Sequence, residues 1–161
     1  MHWAIFAMMT VLTWGLYGAF LHKGTLGFGM ADPNARMKAF LFVGVAYFIV
    51  AIVGPLILIA ISGKGFDFSK TEGIKLSLIA GTLGAVGALT ALLALSNHPI
   101  KSPLAASQVM SLIFAGAPIV AALYGLYSKY QDGTLKELNP VFIVGLVLGA
   151  TGGALVTLFK P

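Results

Sequence analysis

Cysteine is absent from this chain of 161 residues, and charged side chains make up only 9% of it. The absence of thiols excludes disulfides, thiolate metal ligands, covalently attached haem and iron–sulfur clusters. The scarcity of charge excludes an ordinary soluble domain, which needs a larger polar shell at this size. Hydrophobic residues make up 58% of the chain, and its mean hydropathy is +0.95. The composition therefore predicts an integral membrane protein.

Five long apolar segments follow one another, and a helix of about 20 residues is enough to cross a bilayer. They predict an all-α, polytopic transmembrane bundle of about five helices, with residues 1–161 forming one transmembrane domain. The expected spans cover about residues 3–21, 39–61, 74–95, 103–127 and 140–159. The connections are too short for an extramembrane domain. We expect the protein to lie in a bacterial inner (cytoplasmic) membrane.

Proline and glycine predict where these helices begin, end and bend. Asp32-Pro33-Asn34 is a turn sequence between the first two spans. Gly54-Pro55 lies inside the second span, where proline removes one backbone hydrogen bond, so we expect a kink there. Pro103 suits the first turn of span four.

Small residues recur in two spans. Span five carries a stripe of Gly145, Gly149 and Gly153, spaced four residues apart along one helix face. Span three is also rich in small residues, among them Gly81, Gly84 and Gly87. Such residues let helix backbones approach closely in lipid, so both spans predict helix–helix contact.

Lysine and arginine are divided evenly between the two sides that a five-span protein would have. One side holds Lys64, Lys70, Lys75, Lys129 and Lys136, and the other holds Lys23, Arg36, Lys38, Lys101 and Lys160. A balanced distribution does not favour either orientation of the chain in the membrane. Two interpretations stay open: insertion both ways round with antiparallel pairing, or one orientation set by a partner subunit or a dominant charge.

No Asp or Glu falls inside a predicted span. Carboxylates within a membrane mark proton relays and cation sites, so their absence argues against a proton-coupled exporter of organic cations and against a respiratory proton channel. It also removes general acid/base pairs from the membrane interior. We therefore expect no catalytic residue and no enzyme activity.

The remaining polar groups predict neither a metal nor a cofactor. His22 and His98 are isolated interfacial histidines with no carboxylate or Cys at ligand spacing, and they are more typical of polar anchors. The net charge of +5 is spread over every loop and both tails, without the dense basic patch that nucleic-acid binding needs. These cations favour contact with the lipid bilayer instead.

Two groups of polar and aromatic residues are candidates for a binding site. Thr13, Trp14 and Tyr17 lie close together on span one, and Gln108 and Ser111 lie one turn apart on span four. If spans one and four face each other, these residues form a wall of a cavity. Alternatively, Trp14 and Tyr17 belong to an interfacial aromatic belt, and Gln108 and Ser111 bond to neighbouring helices. With the loop residue added, the candidate substrate-binding set is Trp14, Tyr17, Asn97, Gln108 and Ser111.

Several short motifs together resemble the five-helix EamA-type repeat of the drug/metabolite transporter superfamily. They are Thr13-Trp14-Gly15 with Lys23, Arg36 ahead of span two, Gly87-Ala88-Leu89-Thr90-Ala91 with the leucine-rich run up to Leu95, Ala117-Pro118-Ile119-Val120, and the glycines of span five. The resemblance covers nearly the whole chain. Members of that family usually carry two such repeats in inverted orientation around a central cavity. A single repeat therefore implies a dimer.

The chain departs from the family pattern in two places. The family often has a Gly-Glu step just past the proline of span four, whereas this chain reads Leu123-Tyr124-Gly125-Leu126-Tyr127. Loop four, the connection between spans four and five, is also longer than the tight turn that the family usually has there. Two functions are therefore carried forward. The first is a dimeric half-size transporter of a small neutral, zwitterionic or amphipathic metabolite, and the second is a non-catalytic accessory subunit of a larger membrane complex.

Overall fold

A computed structural model describes residues 2–29, 31–100, 103–134 and 137–159, and within these ranges the chain forms helices and no strands. The elements are α1 (His2–Gly27), α2 (Ala35–Phe48), a π-helical segment π1 (Ile49–Val53), α3 (Gly54–Ser62), α4 (Thr71–Asn97), α5 (Pro103–Gln131) and α6 (Pro140–Leu158). Three cations of the charge distribution, Lys101, Lys136 and Lys160, lie outside the described residues.

Five helices are long and apolar enough to cross a membrane, which confirms the predicted fold class. They are α1, the continuous unit of α2, π1 and α3, then α4, α5 and α6. The first four membrane-length helices are longer than the predicted spans: α1 continues to Gly27 rather than residue 21, and α5 continues to Gln131 rather than residue 127. The sequence boundaries stop at the first polar side chains. Helix ends tolerate such side chains because long polar groups reach the interface.

The Gly54-Pro55 step does interrupt the second span. The N–H of Gly54 donates to the carbonyl of Ile49, five residues back, which is the hydrogen bond of a π-helix. Proline then lies in the first turn of α3, where its missing N–H is tolerated. The backbone thus adjusts in π1, just before the proline.

Residues 1–97 form one compact unit, in which α1, α2 and α4 pack against one another. Their buried apolar residues come from the end of α1, the start of α2 and the end of α4: Leu21, Ala35, Ala39, Ala88, Ala91, Leu92 and Leu95. Four of these seven are alanines, which lets the three backbones come close. The unit is therefore held together at the end that carries loop one, the connection between α1 and α2.

Polar contacts also stabilise the end of the unit that carries loop one. A guanidinium nitrogen of Arg36, on the first turn of α2, donates to the carbonyl of Ser96 at 3.4 Å, so a cation lies at the negative end of the α4 dipole. Lys38 on α2 pairs with Asp32 in loop one at 2.6 Å, and the backbone N–H of Asn34 donates to the same carboxylate. The hydrogen bond from Lys38, with that from Asn34, holds the pKa of Asp32 below its ordinary value. The predicted Asp32-Pro33-Asn34 turn lies here, between α1 and α2.

Residues 98–161 form the second compact unit, a pair of helices, α5 and α6. A Cβ built on Gly153 would overlap the Cβ of Ala115 and lie 3.2 Å from the Ser111 carbonyl oxygen, so this position admits only glycine without a shift of the helices. The same test at Gly145 and Gly149 meets no atom within 4 Å. Within this unit, one glycine of the predicted stripe makes the contact and the other two face open space.

We predict that Gly153→Ala destabilises the α5–α6 pair by about 1–3 kcal/mol, because the added methyl group overpacks the contact. Unfolding in mixed micelles by titration with SDS measures the loss. Gly149→Ala is the matched control and leaves stability undiminished, since its methyl group meets nothing. Adding Ala115→Gly to the Gly153 variant restores stability. Equal midpoints for the two single variants would contradict the close approach.

Candidate functional site

An aromatic groove runs between α1 and the second span, and it contains two of the five residues of the candidate substrate-binding set. Its lining residues are spaced three or four apart along each helix: Thr13, Trp14 and Tyr17 from α1, and Val43, Ala46, Tyr47 and Val50 from α2 and π1. The groove has a volume of about 490 Å³. None of its lining side chains carries a charge at neutral pH, so it is suited to an apolar ligand or to an uncharged part of one.

The rings of the groove are arranged for contact with another flat or apolar group. The centroids of Trp14 and Tyr17 lie 5.6 Å apart with an angle of 46° between the planes, a tilted pair. The Trp14 side chain is partly exposed, and Tyr47 adds a third ring on the facing helix. The hydroxyl of Thr13 donates to the carbonyl of Met9 at 3.0 Å. The remaining accessible surface of the groove consists mainly of aromatic rings and methyl groups.

Among the described residues, two buried side-chain polar atoms have no hydrogen-bond partner, the hydroxyl of Tyr17 and Nε2 of His22. His22 is part of the packed end of α1, whereas Tyr17 belongs to the groove. A hydroxyl without a partner in a low-dielectric environment costs free energy. The Tyr17 hydroxyl therefore lowers the stability of the chain as long as it has no partner.

The other predicted site residues do not line this groove. Asn97 is the exposed last residue of α4. Gln108 and Ser111 lie on α5, in the second unit. The Gln108 side-chain amide donates to the carbonyl of Thr157 on α6 at 3.2 Å, and the Thr157 hydroxyl donates back to the Gln108 carbonyl at 3.4 Å. The structure thus gives Gln108 the bond to a neighbouring helix that was the alternative to a binding role.

Sequence reasoning missed the α2 side of the groove and a second cavity. Tyr47 carried no signal because it is one of several aromatic residues in an apolar span, and its place in the groove depends on α1 and α2 packing side by side. The cavity, of about 550 Å³, lies in the second unit and is named here the loop-four pocket. It is lined by Leu126, Lys129, Thr134, Glu137, Leu138, Asn139 and Phe142. In the sequence, loop four stands out only for its length and charge.

Fold and site together define a class, an all-helical integral membrane protein with five membrane-length helices. Comparison with family models, with curated proteins and with solved structures yields no match. The geometry of the groove therefore carries the functional argument.

We predict that Tyr17→Phe stabilises the protein by about 1 kcal/mol, because it removes a buried hydroxyl that has no partner and keeps the ring. The midpoint of SDS unfolding is the measurement. Tyr47→Phe, on the facing helix, is the control and leaves the midpoint in place, since the Tyr47 hydroxyl is not among the buried unpartnered atoms. A loss of stability in the Tyr17 variant would show that lipid or another chain already bonds this hydroxyl.

Proposed function

We propose that the protein is a half-size transporter of the drug/metabolite transporter type, working as a homodimer and moving a small neutral, zwitterionic or amphipathic metabolite. The observation that carries the proposal is the aromatic groove, with Trp14 and Tyr17 as stacking contacts. The short motifs that resemble the EamA-type repeat support the same reading. Asn97, Gln108 and Ser111 do not line the groove, and their role as substrate contacts stays a prediction from the sequence.

The charge of the groove supports this substrate class. Its lining contains three aromatic rings and no ionisable acid or base that is charged at neutral pH. A bare cation entering such a site would lose its hydration without gaining a counter-ion, which is costly in a bilayer. An uncharged ring or alkyl group loses nothing comparable. Coupling to protons is not part of the proposal, since no carboxylate lies in the groove.

The open groove supports the dimer in this proposal. The groove is not enclosed by the helices that line it. A cavity that shields a polar substrate group from lipid needs more walls than one five-helix repeat supplies. In this proposal a second copy supplies them.

Uptake into liposomes tests the transporter. We expect saturable uptake of tritiated phenylalanine, chosen as a zwitterionic probe with a ring, and no saturable uptake into protein-free liposomes. Trp14→Ala lowers phenylalanine uptake about tenfold, the factor that loss of one aromatic contact of about 1.4 kcal/mol produces. Trp3→Ala, on the same helix and 77% exposed, is the matched control and keeps uptake. Absence of saturable uptake, or equal losses in both variants, would overturn the proposal.

A second candidate, an accessory subunit, is favoured by the open glycine faces. Gly149 on α6 and Gly84 on α4 have no atom within 4 Å of a built Cβ, so these faces are free for another helix. Gly149→Leu then abolishes copurification of a partner protein in gentle detergent while the chain itself stays folded. Thr151→Leu, on the opposite face of α6, is the control and has no effect. A homodimer that is unchanged by Gly149→Leu would rule out this candidate.

A further inference from the structure

The loop-four pocket lies where α5 ends and α6 begins, and local hydrogen bonds give it a defined rim. The backbone N–H of Thr134 donates to the carbonyl of Lys129 at 2.9 Å, which closes the chain after α5. Asn139 caps α6, with its side-chain oxygen accepting from the N–H of Val141 at 2.9 Å. The bond at Asn139 also fixes its side-chain amide, whose NH₂ group remains a donor.

The charges of this pocket do not neutralise each other. Lys129 and Glu137 both line it, yet they form no ion pair, since no ammonium–carboxylate distance between them is within 4.0 Å. Leu126, Leu138 and Phe142 give the same pocket an apolar surface. The pocket therefore contains one positive and one negative group that are not paired with each other, beside an apolar surface.

The position of the pocket limits what meets it in the membrane. Lys129 and Phe142 lie within the end turns of two membrane-length helices, Leu104–Gln131 and Pro140–Leu158. Helix ends of this kind lie at the depth of the lipid headgroups. The ligand that presents two opposite charges and an apolar tail at this depth is a phospholipid with a zwitterionic headgroup.

We propose that the loop-four pocket binds the headgroup of a zwitterionic phospholipid that carries a primary amine. The lipid phosphate lies against Lys129 and the Asn139 amide, and its ammonium group donates to the Glu137 carboxylate. The glycerol and the first acyl carbons pack on Leu126 and Phe142. A primary ammonium has three N–H donors for Glu137, whereas the quaternary ammonium of choline has none. The pocket therefore selects phosphatidylethanolamine over phosphatidylcholine.

Native mass spectrometry of the protein released from bilayers tests this site. The bilayers contain equal parts of phosphatidylethanolamine, phosphatidylcholine and phosphatidylglycerol, and retained lipid is counted for each headgroup. Wild-type protein retains phosphatidylethanolamine most. Lys129→Gln lowers the retention of phosphatidylethanolamine about fivefold. Glu137→Gln lowers the ratio of retained phosphatidylethanolamine to retained phosphatidylglycerol by a similar factor. Both effects are of the size expected for one charge at a membrane surface. Thermal unfolding confirms that both variants fold.

The matched control variants, named here the loop-two variants, lie at the end of loop two and in the first turn of α4. Lys70→Gln and Glu72→Gln remove the same charges from residues that do not line the pocket, and retention stays at the wild-type level. Preferred retention of phosphatidylglycerol, unaffected by Glu137→Gln, would reduce the site to general attraction for anionic lipid and overturn the proposal. Retention lowered equally by the loop-two variants would overturn it too. Displacement of the lipid by soluble phosphoethanolamine at equal concentration would show a site for a free zwitterion instead.

Discussion

The hydrocarbon core of a bilayer contains no water, so a chain that crosses it must satisfy its own backbone polar groups. This chain does so with five membrane-length helices. Its threonines follow the same constraint, because each hydroxyl within a span donates to the carbonyl one turn back. These residues are Thr10, Thr13, Thr25, Thr82, Thr90, Thr151 and Thr157. These threonine hydroxyls thus lie in the apolar layer as paired donors, unlike the Tyr17 hydroxyl.

Helix contacts are correspondingly local, because lipid covers apolar surface as well as protein does. The first unit packs where alanines of α2 and α4 meet the end of α1, and the second packs where Gly153 meets Ala115. Elsewhere large side chains such as Ile61 and Val141 are at least 75% exposed. Away from these contacts the helices leave concave spaces between them. The aromatic groove and the loop-four pocket are two such spaces. The groove supports the proposed transport, and the pocket supports the proposed lipid site.

The helices were predictable because continuous apolar runs admit no other fold in a membrane, and the Gly54-Pro55 step correctly marked the irregular part of span two. The form of that irregularity was not predictable, since both a kink and a π-helical segment accommodate the backbone hydrogen bond that proline cannot donate. The glycine stripe shows a further limit. Gly145, Gly149 and Gly153 look equivalent in sequence, but crossing helices touch closely at one point, and only the packing reveals which residue lies there. Trp14 was found for its type, whereas Tyr47 required knowledge of which helices are neighbours.

The claim beneath all of this is that the chain crosses the membrane five times, and the absence of cysteine makes a direct measurement straightforward. Single cysteines replace Ala31 in loop one, Ser69 in loop two and Asp132 in loop four, and each is labelled with an impermeant maleimide from one side of sealed vesicles. Five spans predict equal labelled fractions for the Ser69 and Asp132 variants, and the complementary fraction for the Ala31 variant, whatever the orientation. Fractions that do not complement one another would contradict the five-span account.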